Sequence, residues 1–196
     1  ILAQKHDVPL IIDNAYGLPF PDIIFVDAQP VWNKNIILCM SLSKLGLPGV
    51  RTGIVIADKP VIKAISDINS ILSLAPGGCG AAIAHELVKD GEIMRISKSI
   101  IKPYYESKAK KAIAVIHREF AGLDYAIHNS EGAMFLWLWF KNLPISNYEL
   151  YERLKAKNVL VVSGHYFFFD KAESWDHSKE CIRMTYSKDE EVVEKA

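Results

Sequence analysis

The chain has 196 residues, of which 50% are hydrophobic and 23% charged, with 23 basic residues balanced by 23 acidic ones. This is an ordinary globular composition, and zero net charge gives no reason to expect binding to nucleic acid or a membrane surface. No apolar run approaches the roughly 20 residues that a membrane-spanning helix needs. Cys39, Cys79 and Cys181 follow no paired spacing, so we expect buried free thiols in a cytoplasmic protein.

The first part of the chain is typical of an α/β domain. Short runs rich in Ile and Val predict strands of a mostly parallel sheet, buried on both faces; they lie at 10–12, 36–40 and 53–57. Asp58 followed by Pro60 predicts the start of a helix of about 13 residues. Another helix is expected over 81–89.

The second part combines a long helix with an α+β region. Residues 92–120 keep their apolar side chains on one stripe, which predicts a long helix kinked by Pro103. A further helix is expected after the N-cap signal at Ser146. Strands are expected at 124–128, 134–140, 159–162 and 181–186.

A lysine stands just past the second predicted strand, in Ser41-Leu42-Ser43-Lys44. A lysine at the end of a core strand is costly unless it is paired or used covalently, and its amine can form a Schiff base with an aldehyde. Arg51 follows in a Pro-Gly turn, where its guanidinium can hold a phosphate through two parallel hydrogen bonds. With the hydroxyls of Ser41 and Ser43 beside them, these groups suit pyridoxal phosphate (PLP).

A strand-end carboxylate supports this interpretation. Asp13 ends the first predicted strand, and Tyr16 follows three residues later. PLP enzymes that use the ring as an electron sink need a carboxylate against the pyridinium nitrogen, and a phenol can hydrogen-bond the ring's 3-oxygen. Asp13 and Lys44 on neighbouring parallel strands would converge at the carboxyl edge of the sheet, where ligands bind in such folds.

Together these motifs resemble the signature of the class I/II aminotransferases, which are fold type I enzymes that use PLP. The resemblance continues at 131–135, 161–167 and 182–184. It implies that Lys44 is catalytic and that Arg183 binds the α-carboxylate of the substrate. It also implies a set of cofactor-binding residues: Asp13, Tyr16, Ser41, Ser43, Lys44 and Arg51.

The resemblance further implies how the chain is organised. Residues 1–91 would be the C-terminal part of the PLP-binding large domain, 92–121 a long bridging helix, and 122–196 the small C-terminal domain. The chain would then be the second half of such an enzyme. It would lack the phosphate cradle, the ring-stacking aromatic residue and an asparagine at the 3-oxygen, so we expect it to be inactive by itself.

Three segments, at 11–21, 38–49 and 135–140, resemble the valine–pyruvate branch of the family. This resemblance implies transfer of an amino group between valine or alanine and a 2-oxo acid, either pyruvate or 2-oxoisovalerate. It implies small-molecule amino acids and 2-oxo acids as partners, a homodimer, and no metal, nucleic acid or membrane. Two alternatives are another fold type I enzyme, such as a C–S lyase, and the effector domain of an aminotransferase-like transcription regulator.

Some residues have plainer interpretations, and two features depart from the family pattern. Asp13 could simply cap a turn, Arg183 could form a structural ion pair, and His165 is more typical of a packed residue than of a substrate contact. The spacing from Lys44 to Arg51 is one residue shorter than in aspartate-aminotransferase-like members. Ser163 stands where many relatives have proline.

Overall fold

A computed structural model describes residues 2–29, 31–169 and 175–196. Its contacts divide the chain into two compact units, Ile1–Pro103 and Tyr104–Ala196. The boundary lies inside the segment 92–120, for which the sequence predicts one long helix. Within the described ranges, no helix is both long and apolar enough to cross a lipid bilayer.

The first unit contains a three-stranded sheet of order β1-β2-β3, with β1 at Leu10–Asp13, β2 at Ile36–Ser41 and β3 at Gly53–Ile56. The three strands lie where they are expected, but only β1 and β2 are parallel, and β3 pairs antiparallel to β2. The reason is the connection between β2 and β3. It consists of two short 3-10 turns, which is too little chain for the crossover that a parallel pairing needs.

The core of the first unit lies against β2 and does not cover both faces of every strand. The buried cluster consists of Phe20, Met40, Leu42, Ala84 and Ile93. The prediction of strands buried on both faces is wrong for β1 and β3, whose residues are mostly exposed.

Helices fill the rest of the first unit: α1 at Leu2–Lys5, α2 at Lys59–Ser73, α3 at Cys79–Lys89 and α4 at Glu92–Ile96. Asp58 caps α2 as expected, accepting a 2.9 Å hydrogen bond from the backbone N–H of Lys59. A π-helical turn at Ser97–Ile101 separates α4 from α5, which spans Lys102–Glu119. This irregular turn lies just before Pro103, which has no N–H and disturbs the helix where a kink is expected.

The second unit contains a four-stranded antiparallel sheet of order β4-β5-β7-β6. Its strands are β4 at Tyr125–Ile127, β5 at Phe135–Phe140, β6 at Val162–Ser163 and β7 at Cys181–Thr185. Helix α6 spans Asn147–Lys155 and α7 spans Glu190–Lys195. All four strands fall within or overlap the predicted segments, and buried side chains of β5, β7 and α5 form the core: Leu136, Leu138, Ile182, Ala112 and Ile116.

Candidate active site

Lys44 lies in a tight turn directly after β2. Ser41 caps this 3-10 turn, Leu42–Leu45, by accepting a 3.1 Å hydrogen bond on Oγ from a backbone N–H two residues later. The turn ends at Gly46, whose φ of +98° favours glycine, and Leu42 is fully buried. The turn is therefore anchored in the core, and it holds Lys44 half-buried at the end of the strand.

The aromatic ring of Tyr16 lies beside the lysine. The Nζ atom of Lys44 is 5.4 Å from the centroid of the Tyr16 ring. The two meet because β1 and β2 are parallel, with Asp13 opposite Cys39, so both strands end at the same edge of the sheet. The contact at this edge joins Lys44 to Tyr16, and the predicted convergence of Asp13 with Lys44 stays a prediction.

Asp13 takes part in a turn at the end of β1. Its Oδ1 accepts a hydrogen bond from the backbone N–H of Ala15 at 3.2 Å, which is the turn-capping contact that the plainer interpretation predicts. This bond uses one carboxylate oxygen of an exposed side chain. Capping therefore leaves the second oxygen available for a ligand.

Arg51 lies close to the lysine turn. Its backbone has a φ of +48°, and its Nη1 donates to Ser43 Oγ at 3.4 Å and to the Pro48 carbonyl at 3.3 Å. Within the described residues, neither Arg51 nor Lys44 forms an ion pair. This edge of the sheet thus carries two cations without an acidic partner among those residues, which is an environment suited to an anionic ligand.

The start of α3 packs on the turn that carries Arg51. A Cβ added at Gly80 would lie 1.7 Å from Thr52 Oγ1, so this helix approaches closely only because residue 80 is glycine. Thr52 Oγ1 in turn donates to the Val50 carbonyl at 3.0 Å. The sequence analysis did not identify Thr52 as the residue on which α3 packs. The only indication in the sequence was its position next to Arg51.

Arg183 lies in the second unit, on β7. It pairs with Trp137 of β5 on one side and with Val162 of β6 on the other. Its Cζ atom is 4.2 Å from the centroid of the Phe135 ring and 4.6 Å from that of Phe167. The guanidinium is therefore stacked against two aromatic rings within one unit.

The plainer interpretation of Arg183 is a structural ion pair. Among the described residues, no acidic side chain forms an ion pair with Arg183. The Nε atom is buried there without a hydrogen-bond partner. The residue as a whole is half-buried. Sequence reasoning placed Arg183 correctly on a strand but missed Phe135 and Phe167 as its neighbours.

The three thiols occupy different environments. Cys181 is fully buried, whereas Cys39 is half-buried and Cys79 is exposed, so the prediction of buried thiols is wrong for Cys79. Burial raises the pKa of the Cys181 thiol to about 11, which leaves it protonated and unreactive near neutral pH.

Comparison with known proteins places this geometry in a family. The model of the aminotransferase class I and II family matches residues 1–196. The chain belongs to this family. It is 52% identical over 193 residues to the valine–pyruvate aminotransferase of Escherichia coli K12, covering 98% of this chain and 46% of that protein.

Solved structures of aminotransferases resemble the chain in three dimensions. The valine–pyruvate aminotransferase of Salmonella typhimurium LT2 has a TM-score of 0.93 at 52% identity, over 99% of this chain and 50% of that one. A candidate amino-acid aminotransferase of Psychrobacter arcticum 273-4 has a TM-score of 0.96 at 50% identity, over 99% of this chain and 45% of that one. The chain thus spans about half the length of the aminotransferases it matches, and its fold is that of fold type I enzymes.

The predicted site residues are divided between the two units. The first unit contains the lysine cluster, which we define as Asp13, Tyr16, Ser41, Ser43, Lys44 and Arg51. Contacts within it join Lys44 to Tyr16, Ser41 to Ser43 and Ser43 to Arg51. Arg183 belongs to the second unit.

Proposed function

We propose that the full-length protein containing this chain is a PLP-dependent aminotransferase. The amino group would move between an apolar amino acid, valine or alanine, and a 2-oxo acid, pyruvate or 2-oxoisovalerate. The observation that carries the proposal is the position of Lys44, half-buried at the end of β2 and 5.4 Å from the Tyr16 ring. The 52% identity to a valine–pyruvate aminotransferase supports the choice of substrates.

The donor groups of the lysine cluster fit PLP. Lys44 supplies an amine for the aldehyde, and the free carboxylate oxygen of Asp13 suits the pyridinium nitrogen. Tyr16 supplies a phenol for the 3-oxygen. Arg51 lacks an acidic partner among the described residues and already contacts the Ser43 hydroxyl at 3.4 Å, so both groups can bind a phosphate.

Ser41 would contribute to the same phosphate. Its Oγ accepts from the backbone N–H of Ser43 through a lone pair, which leaves the hydroxyl hydrogen available to donate. When bound, PLP supplies the electron sink for breaking the bond from the α-carbon to hydrogen. Asp13 and Tyr16 would stabilise the charge that develops during this step.

Lys44 would have two roles in the reaction. Its amine would hold the cofactor before the amino acid arrives, and once displaced it would serve as the base that moves the α-proton. Arg183 would orient the amino acid by its α-carboxylate, for which a planar guanidinium matches better than an ammonium group. Both roles need a side chain without a permanent acidic partner.

The complete enzyme would need groups outside this chain. The family resemblance implies that the phosphate cradle, the ring-stacking residue and the asparagine precede it, so we propose that the chain alone is inactive. We also propose a cytoplasmic homodimer, by analogy with the family.

An amino-transfer assay on the full-length protein tests the proposal. L-valine and pyruvate are supplied together, and L-alanine and 2-oxoisovalerate are quantified. Formation of both products in equal amounts supports the proposal. Release of ammonia and a 2-oxo acid without an acceptor would favour the lyase alternative, and specific DNA binding without amino transfer would favour the regulator.

A further inference from the structure

We propose that Phe135 and Phe167 form an aromatic clamp that positions Arg183 for a carboxylate. The inference rests on the proposed function, since it assigns to Arg183 the α-carboxylate of an amino acid. It adds two positioning residues that act through the arginine without touching the reacting atoms. A consequence is that the clamp controls affinity for the carboxylate more than the rate of proton transfer.

The clamp is defined by two short distances. The Cζ atom of Arg183 lies 4.2 Å from the Phe135 ring centroid and 4.6 Å from the Phe167 ring centroid. Both are well inside the range of about 6 Å at which a cation is attracted to an aromatic face. Two rings at this distance restrict the motion of the guanidinium before a ligand binds. The side chain therefore loses less conformational entropy on binding.

One donor of Arg183 is buried and unused within the described residues. It is the Nε atom, which has no hydrogen-bond partner there. A planar guanidinium beside aromatic rings binds ligands through its N–H edge, where a carboxylate can accept two parallel hydrogen bonds. The geometry therefore suits a carboxylate better than a compact single-point acceptor.

Phe167 reaches the arginine from a 3-10 turn, Gly164–Phe167, that lies against β7. A Cβ added at Gly164 would be 2.4 Å from the Cys181 carbonyl oxygen, so glycine allows the turn to approach the strand. The Phe167 ring also packs edge-on against Trp137, with 5.3 Å between the centroids. The position of the ring is thus set by backbone packing as well as by its contact with the cation.

A buried polar network fastens the same turn. The Nδ1 atom of His165 lies 2.8 Å from Ser163 Oγ and 3.3 Å from Asn147 Oδ1. Asn147 is 2% exposed, and its Nδ2 donates to the Ser178 carbonyl at 2.6 Å and the Cys181 carbonyl at 3.2 Å. Ser163, the residue that departs from the family proline, therefore supplies a contact that proline could not make.

The kinetic signature follows from what the clamp holds. The α-carboxylate keeps its charge in both the bound substrate and the transition state, so a looser arginine weakens both states equally. Such a loss of uniform binding raises KM and leaves kcat nearly unchanged. A merely structural role would lower the amount of folded enzyme, or kcat and kcat/KM together.

The experiment compares Phe167→Leu, Phe167→Tyr and the control Phe169→Leu in the full-length protein. Phe169 is 88% exposed, so its replacement reports the effect of a nearby hydrophobic change on the surface. KM and kcat are measured for L-valine, and calorimetry measures the binding of isovalerate, which has the carboxylate but no amine. We expect Phe167→Leu to raise KM and weaken isovalerate binding by about three- to tenfold, the size of one cation–π contact at a partly exposed site.

The matched outcomes separate the clamp from the proposed function. We expect Phe167→Tyr to keep the wild-type KM, because a tyrosine ring presents the same aromatic face. We expect Phe169→Leu to leave both KM and the affinity for isovalerate unchanged. If the wild type does not transaminate but binds isovalerate, and Phe167→Leu weakens that binding, the proposed function fails while the clamp stands. Unchanged isovalerate affinity in Phe167→Leu, no isovalerate binding by the wild type, or a fall in kcat without a rise in KM would overturn the clamp.

Discussion

The lysine cluster and the clamped arginine are built in opposite ways. Lys44 lies on a turn, has no ion pair among the described residues and touches one ring at 5.4 Å. Arg183 lies inside an antiparallel sheet, with a paired strand on each side and two aromatic rings whose centroids lie 4.2 Å and 4.6 Å from its guanidinium carbon. A side chain that forms and releases a covalent bond needs freedom to move, whereas one that recognises a fixed group benefits from being held.

The same contrast appears in how each region is anchored. The lysine turn depends on local features, namely the Ser41 cap, the glycine at Gly46 and the buried Leu42. The arginine depends on contacts distant in sequence, because Phe135, Phe167 and Arg183 come from three separate segments. Substitutions in the two regions should therefore differ in kind as well as in size.

Lys44→Ala in the full-length protein should give the largest effect, because it removes both the proposed covalent anchor and the proposed base. We expect amino transfer to fall by about 10²- to 10⁴-fold, the range for loss of a general base. Borohydride treatment followed by peptide mapping should label the Lys44 peptide of the wild type. The exposed Lys34→Ala is the control and should behave as wild type; a labelled lysine elsewhere would contradict the assignment.

Arg183→Lys should give the next largest effect, and it should act mainly on binding. Replacing a planar fork by a point charge removes one of two charge-assisted hydrogen bonds, so KM for L-valine should rise by about 10- to 100-fold. Steady-state kinetics of the full-length protein measure this. Arg153→Lys, at an exposed arginine of α6, should leave KM unchanged; an unchanged KM in Arg183→Lys would show that another group binds the carboxylate.

Two glycine substitutions test whether the region around Arg183 is more rigid than the region around the lysine cluster. Gly164→Ala places a methyl group against the backbone of Cys181 and should destabilise the fold by about 3 kcal/mol, whereas Gly80→Ala meets the side chain of Thr52 and should cost about 1 kcal/mol. The difference arises because a side chain can rotate away and a paired strand cannot. Chemical denaturation measures both, with Gly77→Ala as a control, since an added Cβ there meets nothing within 4 Å; equal losses at the two glycines would remove the contrast.

The smallest effect should be a difference in reactivity between an exposed and a buried cysteine thiol. Burial raises the pKa of Cys181 to about 11 from an ordinary value of 9.0, so its contribution to stability is complete below pH 9 and declines as the pH rises toward 11. At pH 8, iodoacetamide should modify the exposed Cys79 and leave Cys181 intact in the folded protein. Mass spectrometry identifies the alkylated cysteine, and rapid modification of Cys181 would contradict its burial.

The sequence predicted the strands because their signals are local, since runs of Ile and Val end where turn residues begin. The capped turn at Leu42–Leu45 was not predicted and is seen in the structure. The antiparallel direction of β3 was not predicted, because apolar runs look alike in either direction. The direction of β3 is decided by the β2–β3 connection, which is too short for the crossover of a parallel pair.

The surroundings of Arg183 could not be predicted in the same way. Its stacking on Phe135 depends on the register in which β5 pairs with β7, and its stacking on Phe167 depends on the close approach of Gly164 to Cys181. Neither leaves a periodic pattern in the sequence. The resemblance to the family predicted the role of the arginine, and only the structure shows which residues hold it.

The near-visible absorption spectrum of the full-length protein tests the central claim most directly. It is recorded before and after L-valine is added without a 2-oxo acid, and again after pyruvate is added. We predict a cofactor band that L-valine converts to that of pyridoxamine phosphate and that pyruvate restores. A band that forms but does not respond to valine, alanine or any other amino acid would contradict the assignment of aminotransferase activity.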